Sequence, residues 1–339
     1  MLIVLKEKND SKLIEHIRDL LQKKYECPSH VIGENGRVIA VPGDTTRVDV
    51  NLIKNIVGVK SVDRVDRPYK LASSESRDRT EITLKPGCVL GARDSMVVIA
   101  GPCSIESEGQ LDETAAMAKA EGIHALRGGA FKPRTGPYSF NGLGEEGLKL
   151  LKKAGEKYDM ATVSEAMNER QVDLMEEYVD VIQIGARNMQ NYDLLRRAGK
   201  SRKPVMLKRG LAATLEEFLL AAEYILAGGN PNVILCERGI RTFEEEVRFT
   251  LCLGSIPALR ELTHLPIIVD PSHAAGKARW VADGARAAVA VGADGLIIEI
   301  HPRPEEALSD APQLLDHDHW TDAMRGIRAV TKAMNKTVC

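Results

Sequence analysis

The sequence predicts a (β/α)8 barrel, an α/β fold, preceded by a small ferredoxin-like α+β domain. Three observations carry this expectation. From residue 97 onward, eight short apolar runs alternate with helical patterns, as parallel strands joined by helices do. Each run ends in polar or ionisable residues, where a barrel of this kind carries its active site. Finally, the 339 residues exceed a standard barrel of ~250 by roughly 90, and residues 1–70 follow the order β-α-β-β-α-β.

The elements follow in order. Leu2–Leu5 is a short apolar strand. Asn9-Asp10-Ser11 is a helix-cap cluster, and Leu13, Ile14, Ile17, Leu20 and Leu21 then recur at helical spacing. Ser29–Ile32 and Arg37–Val41 read as strands joined through the turn Gly33-Glu34-Asn35-Gly36. Val48–Ile56 reads as a helix stopped by Gly58, and Val59–Val65 as a fourth strand. Ala72–Arg79 is polar and charged, so residues 71–80 are expected to link the small domain to a catalytic one over 81–339. Glu81–Leu90, broken at Pro86-Gly87, reads as a hairpin. The runs are Val97–Ala100, Ile123–Leu126, Ala161–Val163, Val181–Ile184, Val205–Leu207, Val233–Leu235, Ile267–Val269 and Leu296–Ile300. Between them, Leu215, Phe218, Leu219, Ala222 and Ile225 share one helical face, as do Val281, Ala285, Ala288 and Val289. An open doubly wound sheet would alternate similarly, but eight near-equal units without a GxGxxG turn favour closure.

Composition narrows the function. With 46 basic and 48 acidic residues the net charge is -2, so no global positive field holds nucleic acid or an anionic membrane. Aromatics at 4% argue against base-stacking platforms. No run approaches the ~18 apolar residues of a membrane span. The start, MLIVLKEKNDSK, does not read as a secretory signal. Cys27, Cys88, Cys103, Cys236, Cys252 and Cys339 form no CxxC pair, so free thiols in a reducing cytoplasm are expected. Cys27, Cys88, Cys252 and Cys339 read as structural or exposed thiols.

The runs end as IAGPCS, LRGGAFKPRT, VSEA, IGARN, LKRG, LCERG, VDPSH and IEIHP. Arg127, Lys132, Arg134, Arg187, Lys208, Arg209 and Arg238 thus converge on one rim. Solvated loop ends would account for one or two of them. Together, in a chain without net positive charge, they suit a ligand carrying phosphate and carboxylate. Cys103, His273 and Glu299 end the first, seventh and eighth runs, which are neighbours in a closed barrel. Thiolate, imidazole and carboxylate make a divalent-metal site, with Glu305, Glu306 or Asp310 as a fourth ligand. The mixed donors leave Mn, Fe, Co and Zn open. Lys208 has a rival reading as a Schiff-base nucleophile, but Arg209 beside it favours a phosphate clamp. His317 and His319 read as the cap of the last helix, and Gly228-Gly229 as a helix stop.

In this order, AGPCS (Ala100–Ser104), LRGGAFKPRT (Leu126–Thr135), IGARN (Ile184–Asn188), LKRG (Leu207–Gly210), ERGIRT (Glu237–Thr242), DPSH (Asp270–His273) and EIHP with Ser309-Asp310 resemble a known family. It is that of the 3-deoxy-D-arabino-heptulosonate 7-phosphate (DAHP) synthases of type Iβ, and the resemblance runs from about Glu81 to the C-terminus. It implies condensation of phosphoenolpyruvate with erythrose 4-phosphate, the first step of the shikimate pathway. It implies metal ligation by Cys103, His273, Glu299 and Asp310. Phosphoenolpyruvate would be held by Arg127, Lys132, Ala186, Arg187, Lys208 and Arg238. Pro133, Arg134 and Thr135 of the KPRT loop would take the erythrose 4-phosphate. Lys132 would donate a proton, Glu165 would orient water, and Asp270 and His301 would serve beside them. Residues 1–70 would be a regulatory domain responding to tyrosine or phenylalanine, in a homotetramer. The chain departs from the pattern at Gly136 and Ala311, and in the stretch Gln313–Leu315. The nearest rival family is 3-deoxy-D-manno-octulosonate 8-phosphate synthase, which uses arabinose 5-phosphate and carries KANRTS where this chain has KPRT.

Overall fold

A computed structural model describes residues 1–7, 10–32, 38–64, 67–132 and 138–339. In the small sheet, β1 (Leu2–Leu5) lies centrally. It pairs antiparallel with β3 (Val38–Ala40) and β4 (Val59–Asp63), and β2 (His30–Ile32) gives the order β2-β3-β1-β4. Two helices complete the ferredoxin-like order. Asp10 caps α1 (Ser11–Tyr25) by accepting from the Leu13 N–H, and Asp49 caps α2 (Val50–Lys54). Ile17 and Leu21 of α1 are buried with Ile3, Leu5, Ile39 and Ile53. The turn read at Gly33–Gly36, together with Asn9 and Val65, lies outside the described residues.

The strand residues of opposite parity face the barrel. Leu2 and Ala40 pack on Leu71 and on Leu226 and Ala227, at the end of the barrel helix α7 (Leu215–Ala227). The segment 71–80 is seated against the barrel along its length. Glu223 of α7 accepts the backbone N–H groups of Lys70 (2.9 Å), Leu71 (2.8 Å) and Ala72 (2.8 Å). His264 joins the Thr80 hydroxyl and the Leu71 carbonyl, each at 2.7 Å. Arg79 reaches the buried Asp294 at 2.7 Å.

All eight runs form strands: β7 (Ser95–Gly101), β8 (Ala125–Arg127), β9 (Ala161–Ala166), β10 (Val181–Ile184), β11 (Val205–Lys208), β12 (Val233–Glu237), β13 (Ile267–Val269) and β14 (Gly295–Glu299). They pair in parallel in chain order, and β14 closes on β7 from Gly295↔Val97 to Glu299↔Gly101. Alternation survives inside these apolar strands. Val97, Ile99, Val163, Met206, Ile268 and Ile297 fill the barrel interior, while Val98, Ala100 and Leu126 pack outward with the helices. Helix α7 begins with a Thr214–Glu217 capping box and ends at Gly228. Val281, Ala285, Ala288 and Val289 are the buried face of their helix, Ala278–Ala290. Asp316, not a histidine, caps the last helix (His317–Ala333), with His319 in its first turn.

The hairpin of β5 (Ile82–Lys85) and β6 (Cys88–Leu90) plugs the N-terminal end of the barrel, where Ile82, Cys88 and Leu90 join the interior core. The chain then ends as β15 (Thr337–Val338) alongside β7, and Cys339 is disulfide-bonded to Cys88. This corrects the expectation of free thiols at both positions. A separation of 251 residues conceals in sequence what the fold brings to a Cα–Cα distance of 5.6 Å. Cys27, Cys103, Cys236 and Cys252 are free. No helix among the described residues is long and apolar enough to cross a membrane.

Candidate active site

The site forms at the C-terminal ends of the strands, where the backbone comes unusually close together. A Cβ on Gly101, at the end of β7, would stand 2.0 Å from the Arg127 carbonyl oxygen, and one on Gly185 would stand 2.1 Å from Glu165 Oε1. Only glycine permits these approaches. They let the chain leading to Cys103 pass close against the Arg127 backbone and let the Glu165 carboxylate pack directly on Gly185.

Cys103, Glu299 and Asp310 each bring a donor atom within 4.8 Å of the others. The Cys103 thiol donates to Asp310 Oδ2 at 3.1 Å, and Lys132 Nζ donates to Cys103 Sγ at 2.9 Å. His273 Nε2 stands 3.6 Å from Glu299 Oε1. Its Nδ1 lies 2.7 Å from Asp270 Oδ2, while its backbone N–H donates to Asp270 Oδ1 at 2.9 Å. A carboxylate accepts and cannot donate, so Nδ1 carries a proton and Nε2 is the nitrogen that faces the cluster. Burial, then the charge of Glu299, pushes the Cys103 thiol up to about 12. Burial opposes charge on Glu299 too, but His273 and Arg127 outweigh it and hold the carboxyl below its ordinary range. Asp310 behaves alike: burial raises it, while Arg248 and the bond from Cys103 lower it further. One sulfur, one imidazole nitrogen and two ionised carboxylates, already converging, fit a divalent transition metal. Of the possible fourth ligands, the fold brings Asp310 to the cluster, and Glu305 and Glu306 lie outside it.

Beside the cluster opens a cavity of about 280 Å³, lined by Lys132, Glu165, Ala186, Arg187, Lys208 and Arg238 among others. Arg238 is buried over the Phe249 ring at 4.1 Å, and its Nη1 has no hydrogen-bond partner among the described residues. An orphaned buried guanidinium donor calls for an anionic ligand. Arg127 donates to Glu299 Oε1 (2.7 Å) and the Pro102 carbonyl (2.8 Å), and its Nε is likewise unpaired among the described residues. Lys208 is ion-paired with Asp270. Burial works against its ammonium charge, yet Asp270 prevails and the net shift is upward. A protonated, paired lysine is suited to clamp an anion and ill suited to attack a carbonyl.

Some readings need correction. Arg209 does not reach the rim: it is buried in an ion pair with Glu237 (2.8 Å) and donates to the Ala213 carbonyl (3.0 Å). His301 is buried outside the cavity lining. Its Nδ1 accepts from the Arg303 N–H at 3.0 Å, and its Nε2 stands 3.7 Å from Glu106. Pro133, Arg134, Thr135 and Gly136 lie outside the described residues. Arg248, which donates to Asp310 Oδ1 at 3.0 Å and lines the cavity, escapes sequence reading because no motif or period marks its loop. Gln183, which fixes Glu165 at 2.9 Å, was readable only as an ordinary strand residue.

A family model described as the DAHP synthetase I family matches residues 77–335. This chain belongs to the DAHP synthetase I family. The phospho-2-dehydro-3-deoxyheptonate aldolase of Thermotoga maritima is 45% identical over 339 residues, covering 100% of both chains. The 2-dehydro-3-deoxyphosphooctonate aldolase of Geotalea uraniireducens is 31% identical over 264 residues, 71% of this chain and 94% of that one. The crystal structure of the Thermotoga maritima DAHP synthase superposes with a TM-score of 0.79, covering 100% of this chain and 99% of that one. A truncated form of 3-deoxy-D-arabino-heptulosonate 7-phosphate synthase from the same organism gives 0.75 over 80% of this chain and 99% of its own. Of these two relatives, the heptonate enzyme matches the whole chain and the octonate enzyme a smaller part at lower identity.

Proposed function

We propose that this chain is a metal-dependent DAHP synthase, condensing phosphoenolpyruvate with D-erythrose 4-phosphate to DAHP and inorganic phosphate. The observation that carries the reading is full-length 45% identity to the heptonate aldolase of Thermotoga maritima. The cation-lined cavity beside a convergent donor set supports it. In this reading Arg127, Arg187, Lys208 and Arg238 hold the carboxylate and phosphate of phosphoenolpyruvate. Pro133, Arg134 and Thr135 take the phosphate of erythrose 4-phosphate. Cys103, His273, Glu299 and Asp310 hold a divalent cation (Mn, Fe, Co or Zn), which when bound supplies Lewis acidity toward the acceptor aldehyde. Fixing two anionic substrates side by side brings C3 of the enol phosphate to the aldehyde carbon. Lys132, between the donor set and the cavity, gives its proton to the new hydroxyl oxygen. Glu165, steadied by Gln183, orients the water that adds at C2 as the C–O bond to phosphate breaks. Asp270 serves by fixing His273 and Lys208, and His301 by supporting the loop after β14.

A phosphoenolpyruvate-consumption assay tests this, with erythrose 4-phosphate against arabinose 5-phosphate and with chelator added. Loss of activity on chelation, restored by metal, together with preference for the four-carbon sugar, is expected. Preference for arabinose 5-phosphate would turn the reading to octulosonate synthesis, and trapping by borohydride to a Schiff-base aldolase.

For residues 1–70 we infer a regulatory domain, joined through 71–80 to a catalytic unit over 81–339, with tyrosine or phenylalanine as effector and a homotetrameric assembly in the cytoplasm. Its support is the family resemblance and the contact of β1 and β3 with α7, which couples the small sheet mechanically to the barrel. Deleting residues 1–70 is expected to abolish inhibition by the effector; equal inhibition of both forms would refute the assignment.

A further inference from the structure

Glu299 and Asp310 each bring a carboxylate oxygen to the Cys103 cluster, within 4.8 Å of one another, and what fixes that spacing stands behind them. Each carboxylate turns one oxygen inward, Glu299 Oε1 toward His273 and Asp310 Oδ2 toward the Cys103 thiol. The rear oxygens are joined by a continuous bridge. Gln313 Nε2 donates to Glu299 Oε2 at 2.6 Å. Arg248 Nη1 donates both to Gln313 Oε1, at 2.8 Å, and to Asp310 Oδ1, at 3.0 Å. The amide orientation is dictated by its neighbours, since a carboxylate cannot donate and a guanidinium cannot accept. Gln313 is 1% exposed and does not line the substrate cavity. It ends the single turn Ala311–Gln313 that follows Asp310, whose φ of 51° lies in the left-handed region that L-residues seldom hold. Its backbone N–H donates to the Asp310 carbonyl at 3.1 Å, closing the turn.

We propose that Gln313 is a positioning residue for the metal centre: its carboxamide, through Arg248, sets the Glu299 and Asp310 carboxylates at the separation one divalent ion requires. The proposal rests on the metal-site reading above and assigns a role to a stretch that departs from the family pattern. A partner behind a metal ligand typically changes affinity by ~10–100-fold when removed. Methionine at this position would keep the volume but break both bonds. Glutamate would keep the bond from Arg248 and lose the donor to Glu299.

The test is cobalt(II) binding to the full chain, followed by competition with a chelator and by the thiolate-to-cobalt charge-transfer absorption of Cys103. Gln313→Met is expected to bind cobalt ~10–100-fold more weakly than the wild type, with an altered charge-transfer band. Its KM for phosphoenolpyruvate at saturating metal should be unchanged. Wild-type cobalt affinity and an unaltered band in Gln313→Met would overturn the proposal. If that variant is recovered unfolded, Gln313→Glu decides by the same criterion. Failure of the wild-type chain to bind cobalt through Cys103 would instead overturn the metal-site reading, and this inference with it.

Discussion

Asp270 fixes two neighbours with one carboxylate: it orients His273 through Nδ1 and compensates the buried Lys208. Asp270→Asn therefore has a specific consequence. The amide can present an N–H to His273, which favours the wrong tautomer, and it no longer balances the lysine. Metal affinity is expected to fall by ~10–100-fold, measured by chelator competition. Arg238 is the second residue-scale case, because its orphaned donor has no role without an anion. Arg238→Ala should raise the KM for phosphoenolpyruvate by ~10–100-fold, the loss of a charge-assisted bond worth ~1.5–3 kcal/mol. Steady-state kinetics check this, and an unchanged KM would remove Arg238 from the binding site. Cys103, His273 and Glu299 were legible in the sequence because closure makes the first, seventh and eighth strand ends adjacent. Arg248 and Gln313 were not, because they sit in irregular loops where only the folded backbone brings them behind the carboxylates. Arg209 misled because a strand-end position does not say which way a side chain turns, and the buried Glu237 that claims it lies on the next strand.

At the scale of elements, the eight strands and the small sheet were readable from apolar runs and caps, since burial dictates both. The contacts of 71–80 were not. A polar, charged stretch reads as solvated, yet Glu223 accepts its N–H groups, Thr263 donates to its Ala72 carbonyl, His264 bonds the Thr80 hydroxyl and Asp294 accepts from Arg79. His264 makes this seam sensitive to pH. Burial lowers its pKa from an ordinary 6.5 to about 4, so the folded protein resists a proton that the unfolded chain accepts. Between those two values the unfolded state binds more protons, and stability falls as pH falls; above 6.5 the residue has no effect. The loss by pH 4 amounts to ~3 kcal/mol. Melting temperatures at pH 7 and pH 4.5 should therefore differ more for wild type than for His264→Gln. Equal pH dependence of the two would contradict this account of the seam.

For the whole molecule, chemistry and closure lie at opposite ends of one barrel. The C-terminal ends of the strands hold the donor set and cavity, while the hairpin, β15 and the Cys88–Cys339 bridge seal the other end. Reducing the bridge should cost ~2–4 kcal/mol of stability, since it closes a long loop in the unfolded chain. Activity at ambient temperature should be unaffected, and melting with and without reductant beside an assay checks both. The sequence could not reveal this bridge, because pairing of distant cysteines follows from topology. The central claim is that this cavity joins phosphoenolpyruvate to a four-carbon sugar phosphate with help from a metal held by Cys103, His273, Glu299 and Asp310. Its most direct test is phosphoenolpyruvate consumption by metal-free protein, with erythrose 4-phosphate or arabinose 5-phosphate, before and after adding a divalent metal. Metal-restored turnover with erythrose 4-phosphate and phosphate release is the expected result. Turnover that ignores metal, or that prefers arabinose 5-phosphate, would contradict it.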